Sequence, residues 1–319
     1  MLDRPRTTVA AGRVCPADYG YSPSVFDRGP DLTAETLYVV GGLYGNLEAL
    51  NAIDEMVARE AVPPTIIFNG DFHWFDAEPG WFASIDDRVA RHHALRGNVE
   101  SEIARPADIG AGCGCAYPAS VDDGTVERSN AILDELRDIA ATMPARQARL
   151  AALPMHLVAG VGGLRVGLVH GDAYALAGWG FAQEALDGPQ AAETLTTIRQ
   201  QSNIDVFAST HTCLAALRDA ALPVGRLTVV NNGAAGMPNF SANRAGLITR
   251  IGITPSPHAA LYGLRRDGVH IDALAVPYDH DAFLKRFLAR WPEGSAAHRS
   301  YYGRIVSGPN YSPATASRI

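Results

Sequence analysis

The sequence predicts an α/β (α+β) protein built as a four-layer αββα sandwich, two packed mixed β-sheets flanked by helices. Three observations carry that expectation. Short apolar runs such as Leu37–Val40, Thr65–Asn69 and Leu164–Val169 recur along the chain and read as buried strands. Segments with apolar residues at helical spacing alternate with them, as at Leu47, Leu50, Ile53, Met56 and Val57. Two strand pairs are joined by glycine-containing turns, Gly160-Val161-Gly162-Gly163 and Asp267-Gly268, which are hairpin signals. Sheets that are apolar on both faces need a second sheet on one side and helices on the other.

The chain has 319 residues, 47% of them apolar, and 34 acidic against 27 basic residues give a formal charge of -7. That is material for a large core. The acidic balance, with no block of Lys or Arg, disfavours a nucleic-acid or anionic-membrane partner. Arg4 and Arg6 have no apolar run behind them, and no stretch approaches the ~20 residues that span a bilayer. A cytoplasmic location is expected, and the oligomeric state is left open. Cys15, Cys113, Cys115 and Cys213 are too few for a disulfide scaffold and are expected as buried or idle thiols.

Residues 1–36, rich in proline and glycine, read as an irregular arm laid over the domain. Residues 37–280 read as the domain proper. Its first strand, Leu37–Val40, runs through Gly41-Gly42-Leu43-Tyr44-Gly45-Asn46 into an amphipathic helix. A second strand at Thr65–Asn69, a helix near Asp86–His93 and a short strand at Ala94 follow. Residues Arg105–Leu150 break the alternation, with Cys113-Gly114-Cys115 in a glycine-rich loop and one long helix from Val126 to about Leu150. We read them as an insertion whose ends are anchored beside the site, a lid that brings Cys113 or Cys115 within reach of the pocket. The plainer alternative is a peripheral decoration. A hairpin of Met155–Ala159 with Leu164–Val169, a helix Glu184–Gln201, strands Asp205–Ala208 and Arg226–Val230, and a hairpin of Leu261–Leu264 with Val269–Ala275 complete the core. Residues 281–319 add a helix at Asp281–Trp291 and a tail packed on the same domain.

The strand ends carry the chemistry. Asp71 follows Gly70 at the end of one strand, Asn98 follows Gly97 at another, and His170 and His211 end two more. Ends of parallel strands are where open α/β sheets build sites, and carboxylate, amide and imidazole together suit a divalent ion. The plainer readings are a turn-capping Asp71 and Asn98 and satisfied loop histidines. His73, two residues past Asp71, is a candidate catalytic proton donor. His92 and His93 precede their strand and belong at its far end.

These residues, in this order, resemble the calcineurin-like metallophosphoesterases. The likeness runs from about Leu37 to Asp279 through Gly45-Asn46-Leu47-Glu48-Ala49-Leu50, Gly70-Asp71, Gly97-Asn98, His170-Gly171, Thr210-His211-Thr212 and Asn231-Asn232-Gly233-Ala234-Ala235-Gly236. The resemblance implies a divergent member. Gly42 and Tyr44 stand where the family carries its first Asp and His, Val99 where it carries the catalytic His, and Cys213 where it carries the last His. All three private ligands of one metal are thereby altered. Those of the other remain as Asn98, His170 and His211, with Asp71 no longer needing to bridge two ions.

The resemblance therefore implies at most one divalent ion per chain, Mn, Fe, Zn or Mg, held by Asp71, Asn98, His170 and His211. Asp71 and His73 are the catalytic candidates, and Tyr44 and Asn98 the substrate-binding ones. Tyr44 reads equally as an aromatic plug in the vacated metal site. The implied function is hydrolysis of a small phosphorylated substrate. The alternative is a catalytically lapsed metal- or phosphate-binding pseudoenzyme of the same fold, and a third reading gives two His and one carboxylate to non-haem iron chemistry. Cys213 as a soft-metal thiolate would need Cys113 or Cys115 beside it.

Overall fold

The computed structural model describes residues 11–318. In chain order the strands are β1 (Leu32–Thr33), β2 (Thr36–Val40), β3 (Thr65–Asn69), β4 (His93–Leu95), β5 (His156–Val161), β6 (Leu164–Val169), β7 (Val206–Ser209), β8 (Ala216–Leu222), β9 (Gly225–Asn231), β10 (Gly246–Gly252), β11 (Ala260–Arg266), β12 (Val269–Val276) and β13 (Ser317–Arg318). The helices are α1 (Leu47–Val57), α2 (Pro79–Val89), α3 (Asn98–Ile103), α4 (Asp123–Ala141), α5 (Pro144–Ala151), α6 (Gln183–Leu186), α7 (Ala191–Ser202), α8 (His280–Arg290), α9 (Ala296–Ser307) and α10 (Pro313–Ala316). The strands form a seven-stranded sheet, β1-β5-β6-β7-β9-β8-β13, and a six-stranded sheet, β11-β12-β10-β2-β3-β4.

Alternation along the strands decides the layers, because successive side chains point to opposite faces. Leu37 and Val39 of β2 and Ile67 of β3 join Val166 and Leu168 of β6 and Val206 and Ala208 of β7 in one core between the sheets. Tyr38, Val40, Ile66 and Phe68 point the other way, onto α1, α2, α4, α8 and α9. On the outer face of the larger sheet, Phe207 and Val229 pack with Phe26 and with Leu195 and Ile198 of α7. The four-layer sandwich is thus realised.

Both expected hairpins are present with two-residue turns. Val161 pairs with Leu164 across Gly162-Gly163, and Arg266 with Val269 across Asp267-Gly268, with every turn residue at positive φ as the tight turn requires. Other boundaries differ from expectation. The single helix over 126–150 is two, because Pro144 cannot continue α4 and instead opens α5. Gly188-Pro189 likewise separates α6 from α7 within the segment expected as one helix. The helix expected at Asp86–His93 lies earlier, started by Pro79, and His93 already belongs to β4 at the end away from Asn98. The arm is not wholly irregular. Its β1 pairs in parallel with β5, while residues 1–10 of it lie outside the described residues. Strands β8 and β10 and helix α9 had not been anticipated. Among the described residues no helix is long and apolar enough to cross a membrane.

Candidate metal centre

Asp71, His170 and His211 converge although the sequence separates them by up to 140 positions (211 − 71), because β2, β3 and β4 run parallel in one sheet and β6, β7 and β9 in the other. Their carboxyl ends face the same edge of the sandwich. One ligand atom from each of the three lies within 4.8 Å of the others, and all three residues are buried. Around His170 Nε2 stand Asn98 Oδ1 at 3.1 Å, His211 Nδ1 at 3.1 Å and Asp71 Oδ1 at 3.4 Å.

Hydrogen bonds behind these atoms assign their protons. His170 Nδ1 donates to the Asn69 carbonyl at 3.0 Å, so its Nε2 presents a lone pair. His211 Nε2 donates to the Cys115 carbonyl at 3.1 Å, so its Nδ1 does the same. Asn98 Nδ2 donates to the Cys113 carbonyl at 2.9 Å, which turns Oδ1 toward the cluster. Four acceptors thus face one point with their donors turned outward, and only a cation satisfies them together. Donors about 2.0–2.1 Å from one ion lie about 3.0–3.4 Å apart at adjacent corners of an octahedron or tetrahedron, the spacing that His170 Nε2 keeps from the other three atoms. The set fits a divalent ion. Without one, a proton takes its place: burial would lower the His170 pKa, but the Asp71 carboxylate raises it on balance. Burial would raise the Asp71 pKa, and His170 holds it low. Burial, reinforced by His170, depresses His211 to about 3.

The turn that presents Asp71 is held open against its preference. Asp71 has φ 52°, a left-handed conformation that costs energy for a residue with a Cβ. Glu100, fully buried, compensates: its Oε2 accepts from the N–H groups of Asp71 and Gly97, both at 2.8 Å, and its Oε1 from those of Phe72 at 3.0 Å and His73 at 3.2 Å. Gly97 is required for close approach, since a Cβ there would lie 2.3 Å from Asp71 Oδ1 and 2.8 Å from His170 Cε1. The other shared motifs are scaffold. Asn46 caps α1 and donates to the Gly236 carbonyl, and Asn232 donates to the carbonyls of Gly41 and Leu247.

The cluster opens into a cavity of about 220 Å³ lined by Tyr44, Asp71, Trp74, Asn98, Val99, Cys115, Tyr117, Trp179, His211, Cys213, Tyr301 and Arg304, among others. Tyr44 lies in it, with its hydroxyl 2.9 Å from Cys213 Sγ. A Cβ on Gly42 would lie 2.9–3.1 Å from the Tyr44 ring and hydroxyl, so the ring occupies the space a side chain at position 42 would enter. Tyr44 and Cys213 thus fill one another's neighbourhood instead of joining the ligand cluster.

Three expectations need correction. His73 does not reach the cavity: it is fully buried, with Nδ1 2.6 Å from Asp76 Oδ2, Nε2 3.7 Å from Asp86 Oδ1 and its ring stacked on Phe82 at 3.9 Å. Stacking on Phe82 and the bond to Asp76 thus hold its imidazole away from the cavity lining, where the expected proton donor would have to stand. Cys113 and Cys115 are not idle thiols but form a disulfide, which the short glycine-flanked loop permits. Cys213 then has no thiolate company. The insertion does reach the site, through buried Cys115 and half-buried Tyr117, Val121 and Thr125, and the Cys113 and Cys115 carbonyls orient Asn98 and His211.

Sequence reasoning assigned no role to Glu100, although Gly97-Asn98-Val99-Glu100 carries its signal. It also missed Trp179, Tyr117, Tyr301 and Arg304, which no local pattern marks.

No protein-family model matches the chain, and no curated protein matches it in sequence. Solved structures do match. A hypothetical protein of Pyrococcus horikoshii OT3 superposes with a TM-score of 0.55 at 18% identity, covering 88% of this chain and 100% of its own. A metallophosphoesterase of Sphaerobacter thermophilus superposes with a TM-score of 0.53 at 14% identity, covering 86% of this chain and 100% of its own. The protein therefore has the fold of a metallophosphoesterase, with a buried Asp, His, His cluster that can bind a metal at its sheet edge.

Proposed function

We propose that the protein is a metal-dependent hydrolase of small phosphoesters that works with one divalent ion, held by Asp71, Asn98, His170 and His211. The observation that carries this reading is the convergence of four lone-pair donors whose protons are turned outward onto the Asn69, Cys113 and Cys115 carbonyls. The choice of one ion rests on Gly42, which offers no ligand, and on Tyr44 and Cys213, which are engaged with each other. An ion bound there supplies Lewis-acid polarisation of a phosphoryl oxygen and acidifies a water.

The chain's own residues do the rest. Asp71 and Asn98 keep their oxygens fixed on the cavity, and the Tyr117, Trp179 and Tyr301 rings keep bulk water away from it. Val99 offers no proton, so the site favours leaving groups that depart as stable anions, such as aryl oxides. The lapsed-enzyme alternative draws on the same features, since the Tyr44 ring stands where a ligand on residue 42 would have to pass. Measuring metal per chain by emission spectroscopy, then turnover of an aryl phosphate by wild type and Asp71→Asn, decides between them. Metal-dependent turnover lost in Asp71→Asn supports hydrolysis. One ion per chain with no turnover of aryl mono- or diesters establishes the lapsed reading, and no metal under any loading condition overturns both.

A further inference from the structure

Arg304 is a cation without a charge partner in a pocket that already holds a metal-binding cluster. It projects from α9 into the cavity shared with Asp71, Asn98 and His211. Its Nη2 donates to the Cys213 carbonyl at 2.6 Å and its Nε to the Pro238 carbonyl at 3.1 Å, which fixes the plane of the guanidinium. Among the described residues no carboxylate lies within ion-pair distance of it, although most other buried or half-buried arginines here have one. Nη1 has no protein partner among them either. A half-buried guanidinium, oriented by its own backbone contacts and lacking an anion, is suited to planar recognition of a phosphoryl group.

A second observation concerns the same lining. The indole Nε1 of Trp74 is buried and unpartnered, and Trp74 lines the cavity beside Tyr301. A buried donor left unpaired is unfavourable until some group accepts from it. We propose that Arg304 is a substrate-binding residue that takes the phosphoryl oxygens of a phosphoester whose organic group lies against the aromatic rings of Tyr117, Trp179 and Tyr301. This rests on the phosphoester reading above and adds to it a residue and a substrate class. In a cavity of about 220 Å³ the organic group is small, of the size of one aromatic ring.

The test titrates inorganic phosphate calorimetrically into Mn-loaded protein, with metal per chain and urea unfolding measured on the same samples. Wild type should bind phosphate. Arg304→Gln should lose at least about tenfold in affinity, about 1.4 kcal/mol, with metal content unchanged. Arg304→Lys, which keeps the charge, should recover part of it, whereas a purely structural arginine would move stability and leave phosphate affinity alone. Phosphate bound equally by wild type and a folded, metal-loaded Arg304→Gln overturns the assignment. Should Arg304→Gln fail to fold, arginine-selective dicarbonyl labelling of wild type replaces it: phosphate should protect Arg304, and equal labelling with and without phosphate overturns the assignment. A protein that takes up no metal refutes the metal-dependent reading instead, and the labelling experiment still reports on Arg304 by itself.

Discussion

Replacing Glu100 by Gln removes one oxygen from a carboxylate that accepts four buried N–H groups, two on each oxygen. Gln keeps one acceptor and turns its amide N–H₂ toward the other pair, so two buried backbone donors lose their partners and face a donor instead. At about 1–3 kcal/mol per orphaned buried group, the loss is about 2–6 kcal/mol, a large share of the stability of an ordinary domain. The effect reaches the site because the same bonds hold Asp71 at its positive φ. A support of this kind is worth about 10–100-fold in metal affinity. Urea unfolding reads the first quantity as a shift in midpoint at constant slope, and competition with a metal-sensitive dye reads the second. A Glu100→Gln protein within about 1 kcal/mol of wild type, with unchanged metal affinity, would refute the view that this carboxylate holds the Asp71 turn.

Other expectations are equally direct. Wild type should bind at most one equivalent of divalent metal, lost in His211→Ala. Two equivalents, both lost in that variant, would show that Tyr44 and Cys213 do not close a second site. The metal-free protein should be most stable near the ordinary His pKa of 6.5. Below it, the unfolded chain takes up a proton that buried His211, at about 3, refuses, at up to about 1.4 kcal/mol per pH unit. Above it, the raised pKa of His170 gives stability that is present below 6.5 and lost as pH rises through its folded value. A bound ion takes the proton's place on His170, so metal should abolish the alkaline decline, and a chelated protein with a flat profile on both sides would contradict this. Gly114→Ala puts a Cβ 2.9 Å from the Tyr19 hydroxyl at a residue with φ 64°, so it should shift the Cys113 and Cys115 carbonyls and weaken metal binding. Trp291→Ala empties a site that is 1% exposed and deletes the Nε1 bond to the Phe75 carbonyl, for about 3–5 kcal/mol by denaturant unfolding.

The sequence by itself determined the layers and which polar side chains end the strands, because both are local. Alternation in Leu37–Val40 and Thr65–Asn69 states which side chains face which layer, and a polar residue after an apolar run is visible one position at a time. Strand β8 escaped because its sequence mixes small and charged residues, although its partner β9 follows directly across a tight turn, and β10 because it is placed by pairing with the sequence-distant β2 and with β12. Tertiary structure alone decided which groups face the cavity. His73 and Asp71 lie two residues apart, yet packing on Phe82 and the charges of Asp76 and Asp86 draw the histidine into the core. Arg304 lies 93 positions (304 − 211) beyond His211 and reaches the same pocket only because α9 packs against α4. Protons, too, were assigned only by the fold: the carbonyls of Asn69, Cys113 and Cys115 turn the histidine and asparagine donors outward, and no short motif records where a carbonyl will point.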